Sequence, residues 1–150
     1  MSLMLWVRSH VERLLQDEWD CCRVTADDDG DYHFRHGTAA GWVSIRETGD
    51  VPFVRVFAYA AEGIRSSAAL LRERNDIQLR TMTASIMWSD GRVVVSQTIS
   101  PIGLTRPVLA QALTAVGGVA DDIGLLLAGM FNGKTPYPAH APQPHDEEAA

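Results

Sequence analysis

The sequence predicts an α+β domain in which one antiparallel sheet is packed by helices, in the order helix, three strands, helix, two strands, helix. Three observations carry that expectation. Apolar residues recur at helical spacing near both ends of the chain, residues 32–60 are rich in β-branched and aromatic residues, and Asp90-Gly91 joins two alternating runs. With 150 residues, 46% of them hydrophobic, a single domain that buries its own core is expected.

The first helix is predicted from about Ser2 to Glu18. Met4, Val7, Val11, Leu14 and Leu15 share one face, and Arg8, Glu12, Arg13 and Gln16 lie on the other. Asp27-Asp28-Asp29-Gly30-Asp31 has turn chemistry and no apolar period, so an exposed turn follows. Three strands come next, at Tyr32–His36, Trp42–Thr48 and Phe53–Ala60. The third alternates Phe53, Arg55, Phe57 and Tyr59 with Val54, Val56 and Ala58, which predicts a central strand covered on both faces. Ser66 or Ser67 caps a short helix through Ala68, Leu70, Leu71 and Arg74.

The hairpin is then built from alternation over Met82–Trp88 and Val93–Ile99, turned at Asp90-Gly91, where both residues tolerate positive φ. Thr105 and Pro107 open the last helix, whose wide apolar stripe runs from Leu109 to Met130. Gly117-Gly118 leaves either a break or a close approach in its middle, and Asn132-Gly133 stops it. These elements define a domain over residues 1–133. Residues 134–150 carry four prolines and the acidic Asp146-Glu147-Glu148, and a flexible tail is expected there.

Composition excludes several classes. A formal charge of −6 argues against a nucleic-acid binder held by phosphate contacts. No apolar run approaches the ~20 residues of a membrane span, and the start lacks a basic leader, so cytoplasmic residence is expected. Cys21 and Cys22 are adjacent and make poor disulfide partners for each other.

Several motifs lack the context their chemistry needs. Ala128–Thr135 matches a loose phosphate-loop pattern, but it lacks the preceding strand and following helix that would cradle phosphates. In the Asp27–Asp31 run, with Gly30 as the loop glycine, Thr25 and His36 fall where calcium-binding carboxylates belong. Cys21, Cys22, His33 and His36 invite zinc, yet His33 and His36 are three apart on a strand and point to opposite faces. No Gly-x-Ser-x-Gly elbow is present, and His10, His140 and His145 offer no rigid base. A non-enzymatic protein with no cofactor and no metal is therefore expected.

What remains is apolar. Trp42, Phe53, Phe57, Tyr59, Met82, Met87 and Trp88 exceed what one sheet face needs. They either pack under the helices or form a groove or dimer seam.

The element order is similar to the type III secretion chaperone-like fold shared with the bacterial YbjN family. Ser67–Asn75 as a short helix, the strand Met82–Trp88, the turn Ser89-Asp90-Gly91 and Arg92–Ser96 resemble the YbjN-type stretch. Gly103-Leu104-Thr105 opening a helix that ends near Met130-Phe131 agrees as well. The element order covers residues 1–133 and the residue pattern Ser66–Phe131. The resemblance implies a small acidic homodimer that binds peptide segments of client proteins without an active site or cofactor.

The expected function is thus holding a client segment on an apolar surface, with Trp42, Phe53, Phe57 and Tyr59 as its peptide-binding residues. The alternative is a dimeric regulatory module of the YbjN type that binds a folded partner. Neither nucleic acid nor membrane is expected as a partner.

Overall fold

A computed structural model describes residues 2–20 and 23–139. Helix α1 (Leu3–Glu18) leads into strands β1 (Tyr32–His36), β2 (Ala39–Thr48) and β3 (Val51–Ala61). Helix α2 (Ala68–Arg80), strands β4 (Ser85–Ser89) and β5 (Arg92–Ile99), and helix α3 (Arg106–Met130) complete the order. The five strands form one sheet in the order β1-β2-β3-β5-β4, with every neighbouring pair antiparallel. The fold class and element order are those the sequence predicts.

One face of the sheet is sealed. Val43, Val54, Val56, Ala58, Ala60 and Val95 are fully buried beneath α1 and α3, against Val7, Val11, Leu15, Leu109, Val116 and Leu127. By length and composition α3 could cross a membrane, but here its apolar stripe is spent on the sheet. The Gly117-Gly118 pair does not break it. Gly117 faces His36, and Gly124 meets the Ala60 carbonyl so closely that a Cβ there would stand 2.5 Å from the oxygen. Small residues let the helix lie directly on the strands.

The caps follow from the sequence. Ser2 Oγ accepts from the Leu5 N–H at 3.2 Å, and Ser67 Oγ accepts from the Leu70 N–H at 3.1 Å. Asp90 (φ 52°) and Gly91 (φ 81°) turn the β4–β5 hairpin as expected.

Element boundaries differ in places, most of all around α2. The second helix does not stop near Arg74 but continues to Arg80, because Ile77, two turns beyond Leu70, adds a second buried anchor. That extension shortens β4 and leaves Met82 98% exposed in the link. It also dresses a sheet edge: Gln78 Oε1 accepts from the Ile86 N–H at 2.7 Å, and Arg74 donates to the Ile86 carbonyl at 3.2 Å. β4 is thus an edge strand whose outward Ile86 N–H and carbonyl are met by side chains of α2.

The third strand is central, as expected, but helices cover only one of its faces; Phe53, Arg55, Phe57 and Tyr59 are half-buried on the other.

Part of the expected tail is tied down. Residues 134–139 return to the domain, where Lys134 pairs with Glu62 and the Tyr137 N–H donates to the Thr38 carbonyl at 3.0 Å. Residues 140–150 and the Cys21-Cys22 pair lie outside the described residues.

Candidate functional site

Strand alternation aims Phe53, Arg55, Phe57 and Tyr59 away from the helices. Register then gathers rings from neighbouring strands: Trp42 on β2 lies directly opposite Phe57 on β3, and Tyr59 lies opposite Ala40. Trp42 stacks on Phe57 with centroids 5.5 Å apart, and Tyr59 tilts against Trp42 at 4.9 Å and against Phe57 at 6.0 Å. His33 on β1 extends the row, 5.0 Å from Trp42. Three of the four sequence-nominated residues therefore form one cluster. Phe53 shares the face but sits opposite Arg46, four residues along β3 from Phe57, and makes no ring contact with the others.

Arginines lie on the rings. The Arg55 guanidinium is 5.0 Å from the Phe57 centroid, and Arg92 is 4.7 Å from that of Tyr59. Arg35 covers Tyr137 at 4.4 Å, while the Tyr137 hydroxyl is 2.9 Å from His33 Nε2. Sequence reasoning missed these cations and Tyr137. Arg55 had a signal, since it alternates in phase with Phe53 and Phe57; the Tyr137 contacts had none, because about a hundred residues separate the partners.

At one margin of the face Asp31, expected in an exposed turn, is 6% exposed and receives Arg46 at 3.4 Å. Asp27 Oδ1 accepts from the Asp29 and Asp31 N–H groups, so the acidic run is a self-capped turn. Asp31 Oδ1 and Ser44 Oγ are buried without hydrogen-bond partners among the described residues. No cluster of His, Cys, Asp or Glu among the described residues has metal-site geometry. His33 and His36 do point to opposite faces, one toward Tyr137 and the other toward Gly117.

Two concavities flank the face. A cavity of about 500 Å³ runs beside β1 between Trp19, Val24, Phe34 and Tyr137. A second, of about 310 Å³, lies between the start of α1 and the ends of β3 and β5, lined by Leu3, Trp6, Val51, Pro52 and Ile102. Trp6, off the buried stripe of α1 and without a motif to mark it, is 47% exposed beside this groove.

Residues 5–139 match the family model described as "T3SS (YopN, CesT) and YbjN peptide-binding chaperone 1". The chain belongs to this family of peptide-binding chaperones. A chain in a crystal structure of the ExsC–ExsE complex has a similar fold, with a TM-score of 0.62 at 14% identity. The similarity covers 85% of this chain and 97% of that one. No curated protein matches. Membership agrees with the resemblance seen in the sequence, and the structural likeness supports the fold alone.

Proposed function

We propose that this peptide-binding chaperone holds an extended segment of a client protein on the outer face of its sheet, without catalysis or a cofactor. One observation carries the reading: the inner face is sealed by α1 and α3, whereas the outer face holds Trp42, Phe57 and Tyr59 half-buried with no helix over them. Large rigid rings on an uncovered sheet supply contact area at low entropic cost. β1 is the outermost strand and has no strand beyond it among the described residues, so main-chain pairing there can share the affinity. Phe53 extends the surface at its far end.

The test is a photo-crosslinking side chain placed at Tyr59 and, as a control, at the exposed Leu126 on α3. Capture at Tyr59 of one segment of one protein, competed by the matching synthetic peptide, supports the reading. Equal capture at both positions refutes it. Capture of an intact folded partner instead of an unfolded segment favours a regulatory interaction module.

The same proposal includes a homodimer in the bacterial cytoplasm. Leu71 and Leu79 on α2, Met82 in the link after it and Met87 on β4 are exposed by 44%, 76%, 98% and 37%, apolar side chains of the kind a second copy would cover. Sedimentation equilibrium returning the mass of one chain refutes that part.

A further inference from the structure

We infer that the client segment taken by the outer face is acidic: an extended stretch with carboxylates two residues apart on the side it turns to the sheet. This rests on the client-binding reading and adds the chemistry of the ligand.

The argument starts from charge. The chain carries 13 Lys and Arg against 19 Asp and Glu, for a formal net charge of −6. Its outer sheet face has the opposite balance. The charged residues on the outward positions of the strands are Arg35, Arg46, Arg55 and Arg92, and the carboxylate of Asp31 beside them is held by Arg46. Four of the 13 basic residues lie on this face against the one carboxylate of Asp31, so the face without a helix is locally positive on an acidic protein.

The arginines are also placed for use. Arg55 and Arg92 form no ion pair among the described residues, and each guanidinium rests over an aromatic ring. A guanidinium flat on an aromatic ring keeps its edge N–H groups free to grip a carboxylate bidentately. The two rings beneath them, Phe57 and Tyr59, have centroids 6.0 Å apart. Along an extended chain, side chains on one face recur every ~6.8 Å, so carboxylates two residues apart come near this spacing. A surface of this kind repels a basic segment, so it also supplies specificity.

The experiment uses the full chain and three fluorescein-labelled peptides of about nine residues, in which leucine alternates with Glu, Gln or Lys. Fluorescence anisotropy should show the Glu peptide binding about ten-fold more tightly than the Gln peptide, and the Lys peptide more weakly than either. The preference should shrink as salt rises from about 0.05 to 0.5 M, because partly exposed charges are screened. In the double variant Arg55→Gln, Arg92→Gln the Glu and Gln peptides should bind alike; Arg92→Gln alone, at an exposed position, should remove part of the preference.

Equal binding of the Glu and Gln peptides, or tighter binding of the Lys peptide, overturns the acidic assignment and leaves the client reading intact. Binding of none of the three overturns both. Self-association through this face, seen as a concentration-dependent mass abolished by Arg92→Gln, would make a second copy the occupant and overturn the assignment as well.

Discussion

Phe57→Ala separates a binding surface from a core. In the structure Phe57 is half-buried, stacked on Trp42 at 5.5 Å, tilted against Tyr59 at 6.0 Å and covered by Arg55 at 5.0 Å. Each aromatic pair is worth about 0.5–1.5 kcal/mol and an exposed cation–π contact about 0.5–1 kcal/mol. Burying roughly half of the ring adds about 1 kcal/mol. These contacts share neighbours and do not add fully, so the expected loss is about 2 kcal/mol. A domain with about 5–15 kcal/mol of stability survives that, and for this length Tm falls by roughly 4–8 °C. Urea unfolding followed by circular dichroism gives the stability, and anisotropy with the Glu peptide gives the binding. The variant should stay folded and lose about ten-fold or more in affinity. A loss above about 4 kcal/mol, or no folded protein, would mean that Phe57 is core in the sense of a full large-to-small truncation, and the reasoning about the outer face would fail.

Other outcomes follow from the same coordinates. Gly124→Ala should destabilise by about 1–3 kcal/mol, because its Cβ would meet the Ala60 carbonyl at 2.5 Å and the helix must shift. Gly118→Ala, with nothing within 4 Å, should instead stabilise α3 by up to about 1 kcal/mol; urea midpoints of the two variants should move in opposite directions. Ser44→Ala should be neutral or slightly stabilising by thermal melting, since its buried Oγ has no partner. Burial and the Glu12 carboxylate accepting from its hydroxyl hold the Tyr32 pKa above the ordinary value of 10.0. The folded state therefore binds this proton more tightly than the unfolded chain does, so the contribution is present below pH 10.0 and is lost as pH rises toward the folded pKa. Stability curves of wild type and Tyr32→Phe should converge on that alkaline limb; parallel curves would refute the assignment.

Legibility in the sequence tracked the range of the interactions involved. The Asp90-Gly91 turn, the Ser67 cap and the apolar stripe of α3 are local, and each was readable from residues within a few positions. The phase of β3 correctly put Phe53, Phe57 and Tyr59 on one face, because alternation needs no tertiary knowledge. What covers that face could not be read the same way. Apolar residues on both sides of a strand suggest two layers of helix, whereas here arginine stems do part of the covering. Asp31 sits in a polar run whose burial depends on Arg46, fifteen residues away. The return of residues 134–139 depends on Thr38, His33 and Glu62, and prolines in that stretch pointed locally to a free tail.

The placement of α3 has a consequence for how the chain is made. The helix that seals the inner face is the last element of the fold, and it also accepts the β1–β2 turn, where Asp121 Oδ1 receives the Thr38 N–H and hydroxyl at 2.8 and 3.0 Å. While the ribosome is still translating residues 106–130, the nascent sheet has its valine-rich inner side open to water. At about 5–20 residues per second that interval lasts roughly 1–5 seconds, long enough for aggregation or for capture by another chaperone. A protein of a peptide-binding chaperone family thus has its own inner sheet face uncovered by α3 until that helix has been made.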